Sequence, residues 1–117
     1  MLEQIGSALA NPDRNIIFDG GDIITQRGYT AVPNFLLKKS SLSPGAKLTY
    51  VMLLKYAWEK DSCFPGQARL AQDMGVSPRH AHSCIKELEQ AKLISVKRRG
   101  QGSTNIYTLH LRVHGDN

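Results

Sequence analysis

Two cysteines in 117 residues, Cys63 and Cys84, are too few for a disulfide framework and too far apart for a CxxC redox or zinc pair. They read as reduced structural thiols. Long apolar runs are also lacking: stretches such as Tyr50 to Leu54 fall far short of the roughly 18 residues that a membrane span needs. The N-terminus has Glu3 early, no basic cluster and polar residues by Asn11, unlike a secretory signal. The expectation is a cytoplasmic protein without membrane contact. No Gly-Lys-Ser or Gly-Lys-Thr phosphate loop occurs, and Gly100-x-Gly102 lacks the six-position pattern and strand-to-helix setting of a dinucleotide loop. Nor is there a nucleophile beside a plausible base, since Asp19 and Asp22 flank glycines in what reads as a turn. His80 and His82 sit two apart on a helical pattern and point to different sides, a poor arrangement for a shared ion. No catalysis, cofactor or metal is expected.

What remains is an ordinary globular composition, 41% hydrophobic and 21% charged, in a length that suits one domain. The formal net charge is +5. Its distribution is uneven: seven basic and six acidic residues run through Asp61, then eight basic against four acidic. The densest cluster, Lys97-Arg98-Arg99, opens onto Gly100-Gln101-Gly102-Ser103, a flexible loop composition with cations at its mouth. A polyanion is the candidate partner.

The hydrophobic pattern supplies the frame. Ile16-Ile17-Phe18 and Ile23-Ile24 around Asp19-Gly20-Gly21-Asp22 read as a short extended pair about a turn. Val32-Pro33 precedes a short helix over Asn34 to Leu37 capped by Asn34. Ser43-Pro44 is a stronger start, a serine cap followed by an N1 proline, for a helix running to about Lys60. Its apolar residues Leu48, Val51, Met52, Leu53, Leu54, Tyr56 and Trp58 cover so much of the circumference that the helix reads as a largely buried core strut. After the breaker Cys63-Phe64-Pro65-Gly66, Gln67 to Met74 places Leu70, Ala71 and Met74 on one face. Met74-Gly75-Val76-Ser77-Pro78 then combines a left-handed glycine, an apolar plug, a serine cap and an N1 proline. The next helix, Pro78 to about Lys92, buries Ala81, Cys84, Ile85 and Leu88 and turns Arg79, His82, Ser83, Lys86 and Gln90 outward. Leu93 to Arg98 and Ile106 to Leu111 are β-rich runs flanking the glycine loop, an antiparallel hairpin.

A short helix, a tight turn, an amphipathic helix and a hairpin with a cationic tip are, in that order, what a winged helix-turn-helix requires. A steep crossing lets the second helix enter a groove about 12 Å wide. Ala71 and Ala81 suit the close crossing. Leu70-Ala71-Gln72-Asp73-Met74-Gly75-Val76-Ser77 followed by Ile85 to Ile94 resembles the winged helix-turn-helix DNA-binding family. With Val32-Pro33-Asn34 and Leu42 to Lys47 ahead and Asn105 to Leu109 behind, the chain is similar to replication-initiator-type helix-turn-helix proteins of bacteria, plasmids and phages. The resemblance spans residues 29–111, leaving 1–28 as an unassigned, extended or dimerising segment and 112–117 as a tail. It implies an α+β fold, three core helices plus a C-terminal β-hairpin wing. Where that family carries further basic residues this chain has His80, Ala81 and His82, so base preference does not transfer.

The implied function is sequence-specific binding of double-stranded DNA in replication initiation or transcription regulation, with recognition helix 78–92 in the major groove and wing 97–105 on the backbone or minor groove. Ser77, Arg79, His80, His82, Ser83 and Lys86 would line or border the DNA side of the helix; Lys97, Arg98, Arg99, Gln101 and Ser103 would form the wing; Gln67 and Arg69 would reach flanking phosphates. Arg79 is the first candidate for base contact, Lys86 for phosphate. Expected partners are duplex DNA, a second copy of the chain, and replication or transcription machinery. The competing reading is a winged helix used for protein–protein contact, with its basic wing merely solvated.

Overall fold

A computed structural model of the chain describes residues 15–59, 66–100 and 105–111. Five helices and one two-stranded sheet follow in order among them: α1 Asp22–Arg27, α2 Asn34–Lys38, α3 Pro44–Trp58, α4 Gln67–Met74, α5 Pro78–Gln90, β1 Ile94–Lys97 and β2 Ile106–Leu109. The architecture is the α+β winged helix-turn-helix.

Residues 22–27 correct the expected extended pair, because they are helical. Two isoleucines favour a strand only where another strand is there to pair with, and none lies beside them among the described residues. Local signals prevail instead: Asp22 and Arg27 complement the helix dipole at its two ends, Thr25 Oγ1 donates back to the Asp22 carbonyl at 3.1 Å, and Gly28 at φ 80° ends the turn. No residue of α1 is buried. In α2 the cap is Pro33, with φ −61° and ψ 134°, so Asn34 is the first helical residue and not the cap. Leu36 anchors this helix in the core, fully buried.

Ser43 starts α3 as its sequence dictates, Oγ accepting from the Ala46 amide at 3.1 Å. The helix stops at Trp58, two residues short of the expected end, because Glu59 turns to extended backbone with ψ 130°. All-round burial is also corrected. Ala46, Thr49, Tyr50, Leu53, Leu54 and Tyr56 are buried, whereas Leu48 is 42% and Trp58 58% exposed. Among the described residues, the packing partners α4 and α5 cover one side of α3, and Leu48 and Trp58 lie off it.

Helices α4 and α5 pack on each other and on α3, and β1 continues from α5. Ala71 and Ala81 are both buried, as a close crossing demands, with Leu70, Ile85 and Leu88 filling the space around them. Two tight turns of one kind bracket α5. Before it, Gly75 adopts φ 73° while the Val76 amide reaches the Ala71 carbonyl at 3.0 Å. After it, Lys92 adopts φ 61° while the Leu93 amide reaches the Leu88 carbonyl at 3.0 Å. This second turn ends α5 at Gln90, ahead of the expected Lys92. In each case the apolar residue after the left-handed position packs against the core.

The hairpin is antiparallel, with Ile94 opposite Leu109 and Lys97 opposite Ile106. β1 is one residue shorter at each end than its β-rich run, whereas β2 starts at Ile106 as expected and stops two residues early. Ile94 is buried, and Val96, Tyr107 and Leu109 pack against the core. Tyr50 Oη donates to the His110 carbonyl at 3.3 Å, and His110 Nε2 lies 2.6 Å from Ser95 Oγ, so α3 and both strand ends are tied together.

Candidate nucleic-acid interface

Helix α5 presents the candidate surface. At about 100° per residue, Arg79, Ser83, Lys86 and Gln90 fall on one stripe opposite the buried Ala81, Cys84, Ile85 and Leu88. All four are exposed. At its N-terminus Ser77 Oγ accepts from the His80 amide at 3.1 Å, with Pro78 in the first helical position.

The two histidines occupy opposite flanks of the helix. His80 leans over Gly45 at the start of α3, where a Cβ built on the glycine would stand 3.0 Å from His80 Nε2. His82 faces α4, its Nδ1 3.2 Å from Gln67 Oε1. Among the described residues no group of three or more His, Cys, Asp or Glu side chains gathers to hold a metal ion. The contact with His82 engages Gln67 with α5. Arg69 is engaged within its own helix, Nε donating to Asp73 Oδ1 at 3.2 Å, though its side chain remains 61% exposed. Cys84 is a free, buried thiol, and burial pushes its pKa up.

Lys97 ends the β1 ladder, and Arg98 and Arg99 follow it, all three exposed. Gln101 and Ser103 lie outside the described residues. Arg98 Nη2 comes within 3.6 Å of Glu89 Oε1, linking the wing base to the last turn of α5.

Both acids of α5 are thus turned away from the outer stripe. Glu89 faces the wing and Glu87 faces α3, where its carboxylate accepts from the Ser43 amide and hydroxyl, each at 2.7 Å. These two hydrogen bonds hold the Glu87 carboxyl below its ordinary value near 4.5. Counting charges along the helix pairs Arg79 and Lys86 against Glu87 and Glu89, which makes the surface look neutral. Rotation about the axis separates them, and the exposed stripe of Arg79, Ser83, Lys86 and Gln90 carries no acid.

Residues 40–94 match the family model described as helix-turn-helix domain. The match covers just under half of the chain and falls on the helix-turn-helix that the fold shows. Within the helix-turn-helix domain α4 is the first helix, residues 75–77 the turn and α5 the second helix. No curated protein matches the chain by sequence. A solved structure described as "N-Terminal domain of DNA binding protein" is similar in fold, with a TM-score of 0.57 at 20% identity over 86% of this chain and 87% of that one. The sequence pattern located the helix-turn-helix and its outward residues, but not Glu87, Glu89, Ser43 or Gly45 as parts of its frame. The signal for Glu87 was its 100° step pattern, which places it on the flank with His80 and Cys84; what that flank meets is set by tertiary packing. No helix among the described residues is long and apolar enough to cross a membrane.

Proposed function

We propose that this chain binds double-stranded DNA sequence-specifically, with α5 in the major groove and the basic wing on the backbone or an adjacent minor groove. The observation that carries this reading is the acid-free, exposed stripe of Arg79, Ser83, Lys86 and Gln90 on the second helix of a helix-turn-helix domain. An arginine near the start of such a helix can donate two hydrogen bonds to the O6 and N7 edge of guanine, whereas a lysine further along meets phosphate. Exposed Lys97, Arg98 and Arg99, where the β1 ladder ends, supply sequence-independent attraction. The solved structure of similar fold belongs to a DNA-binding protein, which agrees with this use of the fold.

The binding unit is read as residues 29–111. Leu36 of α2 and the β2 residues Tyr107 and Leu109 pack on the same core as the helix-turn-helix, whereas α1 buries nothing. Two copies on two half-sites are the proposed assembly, joined through the segment before residue 29, where Ile16, Ile17 and Ile23 are each more than 70% exposed. Light scattering of the free chain tests that assembly. The cellular setting proposed is replication initiation or transcription regulation.

Fluorescence anisotropy with labelled duplex DNA at two salt concentrations tests the reading. Binding that weakens steeply as salt rises is expected. Absence of binding at low salt would reject it and favour a protein-contact role for the same fold.

A further inference from the structure

Glu87 is an acid on the helix proposed to face a polyanion, and its carboxylate is occupied elsewhere. Ser43 donates to it twice, N–H to Oε2 and Oγ–H to Oε1, both at 2.7 Å, across 44 residues of sequence. The same Ser43 Oγ accepts from the Ala46 amide, so one side chain both caps α3 and grips α5. The carboxylate therefore sits at the positive end of the α3 dipole, in charge-assisted bonds of short length.

A second contact lies on the same flank of α5. At Gly45 the backbone of α3 approaches so closely that a Cβ there would stand 2.9 Å from Cys84 Sγ and 3.0 Å from His80 Nε2. His80, Cys84 and Glu87 follow at helical spacings of four and three, a stripe about 10 Å long. Two separated contacts on one flank fix the position of a helix and also its rotation about its own axis. Rotation is what base reading needs. A turn of about 20° moves a side-chain atom at a radius of about 6 Å by about 2 Å, enough to break a bidentate hydrogen bond.

We propose that Glu87 is a positioning residue for base readout: through Ser43 it locks the rotation of α5 on the N-terminus of α3, and so aims Arg79 and Ser83. The inference rests on the DNA-binding reading above and adds to it a residue that touches no DNA. It also gives a role to an acid in the last turn of this helix.

Glu87→Ala removes the grip, and Ser43→Asp keeps a good cap on α3 while setting a like charge against Glu87. Glu59→Gln, on exposed surface at the end of α3, is the control for loss of one negative charge. Dissociation constants are measured for a duplex selected by the parent protein and for a scrambled one, and the amide resonances of Arg79 and Ser83 are recorded in the free proteins. The expected result is that the selected-to-scrambled ratio falls about tenfold in Glu87→Ala and Ser43→Asp, while Glu59→Gln keeps the parental ratio. The Arg79 and Ser83 resonances, which belong to residues outside the Ser43 contact, move in the same two variants. Folded variants with the parental ratio and unmoved resonances would overturn the inference and leave the DNA reading standing. A parent protein without sequence preference would instead reject the readout reading, and this inference with it.

Discussion

The Tyr56 hydroxyl donates to Asp73 Oδ2 at 2.6 Å, joining the last buried turn of α3 to the end of α4. Asp73 also accepts from Arg69, so a residue expected at DNA phosphates is held in a three-member network on the helix-turn-helix itself. Burial first, then this hydrogen bond, raise the Tyr56 pKa, and burial raises that of Tyr50. The same phenol holds the Asp73 carboxyl below its usual range.

Alkaline sensitivity follows. The unfolded chain gives up its phenol protons near the ordinary value of 10.0, whereas the folded chain keeps those of Tyr50 and Tyr56 to higher pH. The folded state then binds more protons, so its stability falls with rising pH. The contribution is complete below that value and is lost as pH climbs through the raised ones. Thermal unfolding from pH 8 to 11 should show a falling melting temperature above about pH 10. Tyr56→Phe should lower the melting temperature at neutral pH by about 5 °C and flatten the alkaline decline, leaving the part due to Tyr50.

The two left-handed turns around α5 should respond in opposite directions. Gly75 has φ 73° with open space around the missing Cβ, so Gly75→Ala suffers from the backbone alone and should cost about 1 kcal/mol. Lys92 holds φ 61° with a side chain attached, and Lys92→Gly should gain a few tenths of a kcal/mol up to about 1 kcal/mol. Urea unfolding of both variants checks the signs.

Gly45→Ala tests a contact of a different kind. The added methyl meets Cys84 Sγ at 2.9 Å, and Cys84 is buried where it has little room to move, while exposed His80 can swing aside. A loss of about 1 to 3 kcal/mol in urea unfolding is expected, the range of an overpacked core. Gly45→Ala/Cys84→Ala should recover part of it.

Much of this frame was readable from residue order because its signals are local. Ser43-Pro44, Gly75-Val76-Ser77-Pro78 and the three-and-four spacing of Ala81, Cys84, Ile85 and Leu88 each fix their own conformation within a few residues, and the structure follows them. Ile23-Ile24 misled because strand preference needs a partner strand and helix does not. Leu48 and Trp58 misled because apolar character tells which residues can be buried, whereas neighbours decide which are. In the candidate site, the outward residues of α5 were legible from its period. The engagement of Glu87 with Ser43, of Glu89 with Arg98 and of Gln67 with His82 was not, since each joins residues distant in sequence or in separate elements.

Base readout and backbone attraction should separate by mutation. Arg79→Ala should reduce preference for a selected duplex by about 1 to 3 kcal/mol while leaving affinity for scrambled DNA less affected. Replacing Lys97, Arg98 and Arg99 together by alanine should weaken all duplexes alike and lower the slope of log affinity against log salt by about 2 to 3. Titrations of both variants on both duplexes at several salt concentrations make the comparison.

Whether the acid-free stripe of α5 reads base edges is decided by selecting bound sequences from a pool of random duplexes. Base reading by this stripe requires enrichment of a short motif by the parent protein and flattening of that motif at one or two positions in Arg79→Ala. Retention of duplexes without any enriched motif, or an identical motif from the Arg79→Ala variant, would refute it.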